Sequence, residues 1–226
     1  MRQPLAKRVV AEALGTFFLL AAVVGSGIMA ERLAGGNAGL ALLANAAATG
    51  AALVALIMSF APVSGAHFNP VVSLSFALRR VLAWREVPFY LLAQVVGGIG
   101  GVIAANLMFG LPAVFLSNHS RNGLGQLFSE FIATLGLLSV IIAASRSTIA
   151  VVAITVGAYI TAAYWFTAST SFANPAVTVA RCLSDTFAGI RPTDVLGFVL
   201  AQLAGGIAAT VLFGWLMPTN HNELVR

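Results

Sequence analysis

Residues 169–182 read STSFANPAVTVARC, and Asn174-Pro175 within them marks a helix start in a very apolar chain. Asn is a strong N-cap, and Pro suits the first turn, where its missing N–H has no intrahelical partner to lose. From Ala176 to Cys182 there is room for about two turns before Ser184-Asp185 breaks the pattern, far short of the roughly 20 residues that a membrane span needs. The stretch predicts a half-helix. Upstream, SGAHFNPVVSLSFALRR predicts a second one, opened by Asn69-Pro70 and ending near Arg79-Arg80. Two broken elements in corresponding halves of a chain predict discontinuous helices that meet near a bilayer midplane.

The rest of the chain supplies the bilayer context. Of its 226 residues 59% are hydrophobic and 8% charged, against roughly 25% charged in soluble domains, so the fold class is an all-α polytopic membrane protein. The net charge of +5 does not imply a nucleic-acid partner, because the basic residues are dispersed at segment ends, as the positive-inside rule requires. The first apolar stretch is too long for a signal peptide. Cys182 is the sole cysteine; it excludes an intramolecular disulfide and reads as a small buried apolar residue. No H-E-x-x-H, G-x-S-x-G or phosphate-cradling loop occurs, which argues against an enzyme.

Six spans are expected, at about 8–30, 38–61, 87–110, 124–144, 149–167 and 195–217, with Thr193 or Asp194 capping the last. Arg2, Lys7, Arg8, Arg79, Arg80, Arg85, Arg146 and Arg226 then share one face, against Arg32, Arg121 and Arg191 on the other. Both termini are expected in the cytoplasm and the protein in a cell membrane, inner or plasma. In that orientation Asn69 enters from the cytoplasmic side and Asn174 from outside. The geometry requires an inverted repeat, and the sequence carries one. Glu12-Ala-Leu-Gly-Thr16 is echoed by Glu130-Phe-Ile-Ala-Thr134, and Ala93-Gln94-Val95-Val96-Gly97-Gly98 by Ala201-Gln202-Leu203-Ala204-Gly205-Gly206. The expected organisation is one transmembrane domain, 1–226, with repeats at about 8–110 and 124–217. Gly15, Gly50, Gly97, Gly98, Gly157, Gly205 and Gly206 read as close helix contacts.

With both Asn-Pro stretches and both pairs of echoes in register, the chain resembles the aquaporins, or major intrinsic proteins, over nearly its whole length. SGAHFNPVVSL and SFANPAVTV are similar to that family's two Asn-Pro-Ala loops, Asn69-Pro70-Val71 and Asn174-Pro175-Ala176, with Val71 where Ala is usual. The resemblance implies a homotetramer with one pore per subunit, conducting water or small neutral solutes through the lipid bilayer without a cofactor or a metal. The residues support such a pore in their own right. Two half-helix N-termini facing one midpoint disfavour any cation there. The Asn amides can donate to a passing oxygen while carbonyls of the approaches, 64–68 and 169–173, accept.

Carboxylates inside a span are costly and by default functional. Glu12 and Glu130 could couple protons in a transporter; their symmetric placement favours acceptors for the loop N–H and hydroxyl groups, a role that the resemblance also implies. His67 reads likewise as a loop-supporting histidine rather than a pH switch. In the family, four positions form an outer filter, and by spacing they fall here on Thr49, Ala162 (or its neighbour Thr161), Ser171 and Val177. The last is usually Arg. Four small or medium side chains without charge predict a wide, permissive mouth that passes water, glycerol-like polyols and neutral metalloid acids such as arsenous acid. Arg181, one turn beyond Val177 on the same helix face, is the alternative source of the missing guanidinium, and would make the channel water-selective. An inverted-repeat secondary transporter is the competing class.

Overall fold

The computed structural model describes residues 3–217, all of whose regular structure is helical apart from one isolated β-bridge between Phe115 and Ser184. The chain runs α1 (Leu5–Leu33), α2 (Ala38–Ser64), α3 (Pro70–Leu78), a 3₁₀ turn (Trp84–Glu86), α4 (Val87–Met108), α5 (Leu124–Ala144), α6 (Ile149–Phe166), α7 (Pro175–Arg181) and α8 (Pro192–Leu216). Six of these are long and apolar enough to cross a membrane. The expected α3 and α7 are the two short ones, of nine and seven residues. Arg2 and Arg226, used above to orient the chain, lie outside the described residues.

The two repeats pack alike. In the first, α1 lies against α2 and α4; in the second, α5 lies against α6 and α8. The halves join where α2 meets α6, and each half-helix is shared between repeats, α3 touching α8 and α7 touching α4. Small residues set these approaches: a Cβ on Gly97 would collide with the Ala13 carbonyl, and one on Gly205 with the Phe131 carbonyl. Since Gly97 and Gly205 occupy matched places in the repeat, the same close contact between α1 and α4 recurs between α5 and α8.

Two local expectations need correction. Neither Thr193 nor Asp194 caps α8; Arg191 is its N-cap residue and Pro192 takes the first helical position. That is the place where Pro costs least. The Asp194 carboxylate instead receives the Arg121 backbone N–H at 2.8 Å and the Arg191 side chain at 3.0 Å. Span two is longer than expected, running through Pro62 to Ser64, so the irregular approach to the first half-helix starts at Gly65.

Candidate functional site: the paired half-helices and their cavity

Asn69 and Asn174 are the N-caps of α3 and α7. The Asn69 side-chain oxygen accepts from Val71 N, and that of Asn174 from Ala176 N and Val177 N. Their amide nitrogens do something a cap alone does not require. Asn69 Nδ2 donates to the Ala173 carbonyl and Asn174 Nδ2 to the Phe68 carbonyl, both at 2.8 Å. Each half-helix is thereby pinned to the approach of the other. One amide hydrogen per Asn is left over, and both residues line the cavity.

The approaches reach this junction through left-handed backbone. Gly65, Ala66 and Phe68 have positive φ in the first, and Thr170, Ser171 and Ala173 in the second. For residues other than Gly this conformation is uncommon and persists only where the surroundings impose it. Here the buried glutamates impose it. Glu12 accepts from Ser64 Oγ and His67 N on one oxygen and from Phe68 N and Gln94 Nε2 on the other, at 2.7–2.9 Å. Glu130 accepts from Phe172 N, Ala173 N and Gln202 Nε2 at 2.6–2.9 Å. The glutamines also bond equivalent hydroxyls, Gln94 to Ser73 and Gln202 to Thr178. His67 Nδ1 lies 3.0 Å from Ser73 Oγ, within the same network.

Beside the junction runs a cavity of about 290 Å³. Its wall extends from Ser145, Ser147 and Ile149, at the turn between α5 and α6, past Asn69 and Asn174 to Ser171, Val177 and Arg181. Most of the lining is aliphatic or aromatic, so the Asn amides are a polar interruption of an apolar tube.

Three of the four residues expected at the outer filter line this cavity: Thr49, Ser171 and Val177. Ala162 does not. It is exposed on the outside of α6, and its neighbour Thr161 donates back to Gly157 in the α2–α6 contact. The inward positions of α6 are Ile160 and Tyr164, and the Tyr164 hydroxyl lies 3.2 Å from Thr49 Oγ1. Spacing counted from Asn174 falls on Ala162, two residues from each of them and so on the opposite side of the helix. The expectation of an uncharged mouth fails too. Arg181 is 2% exposed and on the cavity wall, its Nε–H bonded to the Ala188 carbonyl. Arg121, expected from the sequence as one of the basic residues of the outer face, is buried as well. Burial pushes its guanidinium down to about 10, which still leaves it protonated at neutral pH.

Six crossing helices, two half-helices joined head to head and a cavity threading past their junction define a pore-forming membrane protein built on an inverted repeat. The chain belongs to the major intrinsic protein family, whose model matches residues 1–148 and 144–226; it is a membrane channel, not an enzyme. It is 54% identical over 213 residues to aquaglyceroporin AqpS of Rhizobium meliloti (strain 1021), covering 94% of this chain and 91% of that protein. To aquaporin NIP1-4 of Oryza sativa subsp. japonica it is 31% identical over 218 residues, covering 92% and 76%. The solved aquaglyceroporin of Plasmodium falciparum shares the fold, with a TM-score of 0.76 over 95% of this chain and 98% of that one at 20% identity.

Proposed function

We infer that this channel passes water and small neutral hydroxylated solutes, glycerol-like polyols first and neutral metalloid acids such as arsenous acid with them. The observation that carries the reading is the Asn69–Asn174 junction, where spare amide donors interrupt a mostly apolar stretch of the cavity. A solute with several hydroxyls and no charge can exchange water for these donors without meeting a net-charge barrier. The similarity to an aquaglyceroporin at 54% identity supports the polyol class. Cations are disfavoured by the positive ends of α3 and α7 at the same junction. The chain works as a homotetramer in a cell membrane, with its termini in the cytoplasm.

A second reading has one observation in its favour. Arg181 on the wall, with the Thr49–Tyr164 contact nearby, supports a water-selective pore. Purified protein in liposomes, challenged in a stopped-flow instrument with an osmotic step of each solute, separates the two. Rapid water and glycerol flux is the expected result. Rapid water flux with glycerol uptake at the level of empty liposomes would establish the second reading instead.

A further inference from the structure

The approach to the second half-helix carries more backbone strain than the approach to the first. Aligned on Asn69 and Asn174, the two follow the same path: Gly65, Ala66 and Phe68 have φ of 93°, 51° and 49°, and Thr170, Ser171 and Ala173 have 59°, 50° and 48°. The first position differs in kind. Gly65 enters the left-handed region without steric penalty, whereas a β-branched residue such as Thr170 is a genuine outlier there. Such strain persists only where the surroundings over-determine it. Glu130 holds the later part of the approach, through Phe172 N and Ala173 N, and among the described residues it bonds neither Thr170 nor Ser171.

Arg121, in the connection between α4 and α5, reaches the strained position. Its Nη1 donates to the Ser169 carbonyl at 3.1 Å and to Thr170 Oγ1 at 3.4 Å. Its Nε donates to the Gly189 carbonyl at 2.7 Å and its Nη2 to the Phe187 carbonyl at 3.4 Å. One guanidinium thus spans both flanks of α7, the approach before it and the turn after it. The same group faces the Phe172 ring, its Cζ 4.9 Å from the centroid, and Phe198 holds that ring edge-on at 5.3 Å. The segment that carries Arg121 is anchored in turn: Arg121 N donates to the Asp194 carboxylate, and the His119 carbonyl accepts from Arg191 N, both at 2.8 Å. A planar fork with five donors can tie four acceptors at once, which the three donors of an ammonium on a flexible stem do not match.

We propose that Arg121 is a positioning residue of the pore: from outside the cavity it holds Thr170 and Ser171 in left-handed backbone, and so keeps Ser171 on the cavity wall. Ser171 lines the cavity, and its buried Oγ has no protein partner, which leaves the hydroxyl to a solute. If Thr170 relaxes to an unstrained φ, the next residue turns with it and the wall changes at Ser171. Glycerol fills more of the path than water does, so its flux is the more sensitive to that change. The need for Arg121 arises from Thr170, which stands where the first repeat has Gly65. The glycerol part of the test rests on the solute-channel reading above.

The test is a double-mutant cycle on full-length protein in liposomes, with Arg121→Gln made in the parent and in a Thr170→Gly background. The readout is the ratio of glycerol to water flux, which a loss of stability alone does not move in protein that reconstitutes. Arg121→Gln is expected to lower the ratio at least about fivefold in the parent and less than about twofold in the Thr170→Gly background, because glycine removes the strain that Arg121 opposes. Arg121→Lys should behave as Arg121→Gln does, since the fork and not the charge does the holding. An unchanged ratio in Arg121→Gln, an equal fall in both backgrounds, or an Arg121→Lys protein that matches the parent would overturn the proposal. If Arg121→Gln alone does not reconstitute, the Tm of the four proteins in detergent runs the same cycle. A smaller loss of Tm beside Thr170→Gly is then the expected result, and an equal loss overturns it. A parent that passes water but no glycerol would refute the solute reading and not this one, because the cycle is then read on water flux and Tm.

Discussion

Glu12 shows how one residue fixes a loop geometry. Its two oxygens take four neutral donors, two of them the backbone N–H groups of His67 and of the left-handed Phe68. Replacing one oxygen by an amide nitrogen sets a donor against a donor in a fully buried site. Glu12→Gln is expected to cost about 1–3 kcal/mol, and Glu12→Ala more, read as a lower Tm of the detergent-solubilised protein. Glu130→Gln is expected to behave alike, since its partners are the matching ones in the second repeat. A proton-coupling role predicts a different outcome: stability unchanged, with solute accumulation driven by a pH gradient in the parent and lost in the variant.

Val177 poses a question of width at the same scale. Arg at this position would add a long, always protonated side chain with five donors to a wall that already carries Arg181. Val177→Arg should therefore reduce glycerol flux more than water flux, measured on the same liposome preparation. Equal proportional loss of both would mean that position 177 is not at a constriction.

At the scale of elements, the half-helices were legible because Asn-Pro is a start signal that works at any depth in the chain. Their shortness beside full-length spans is what pointed to a midplane junction. The bond from each Asn to the other approach was not legible, since it depends on Phe68 and Ala173 adopting left-handed backbone that neither residue type favours. Tyr164 was missed for a reason of phase: Ala162 stands two residues from both Ile160 and Tyr164, and two residues rotate a helix position by about 200°. Ala162 was thereby exchanged for its inward-facing neighbours. Arg121 was missed because a charged residue in the link between two spans is ordinarily solvated, and nothing in its local sequence announces four acceptors contributed by segments 48 or more residues away.

The junction itself makes a prediction at this scale. Asn174→Asp would put a negative charge where two helix N-termini meet, and would replace the donor to Phe68 by a second acceptor. Proton leak through the reconstituted variant should rise above the parent's, because the positive field of α3 and α7 is partly cancelled. A leak equal to the parent's, in protein that still passes water, would show that the junction does not set the proton barrier.

For the whole molecule, the large apolar residues that stay exposed, among them Phe18, Leu92, Leu124, Phe128, Leu200 and Trp215, suit hydrocarbon rather than water. The repeat places Ser147 and Asn118 at opposite ends of the bundle, and on the proposed orientation, argued from the distribution of Arg and Lys, Ser147 faces the cytoplasm. In a Cys182→Ser background, a cysteine at position 118 should react with a membrane-impermeant maleimide on intact cells, and one at position 147 should react after lysis alone. The reverse pattern would invert the orientation.

The central claim is that the molecule conducts through an open path and does not cycle between two faces. Glycerol uptake by proteoliposomes, measured against an increasing glycerol gradient with no ion gradient present, tests it most directly. The account predicts an initial rate that rises in proportion to the gradient into the molar range. A rate that levels off at millimolar glycerol, or that requires a proton or sodium gradient, would contradict it.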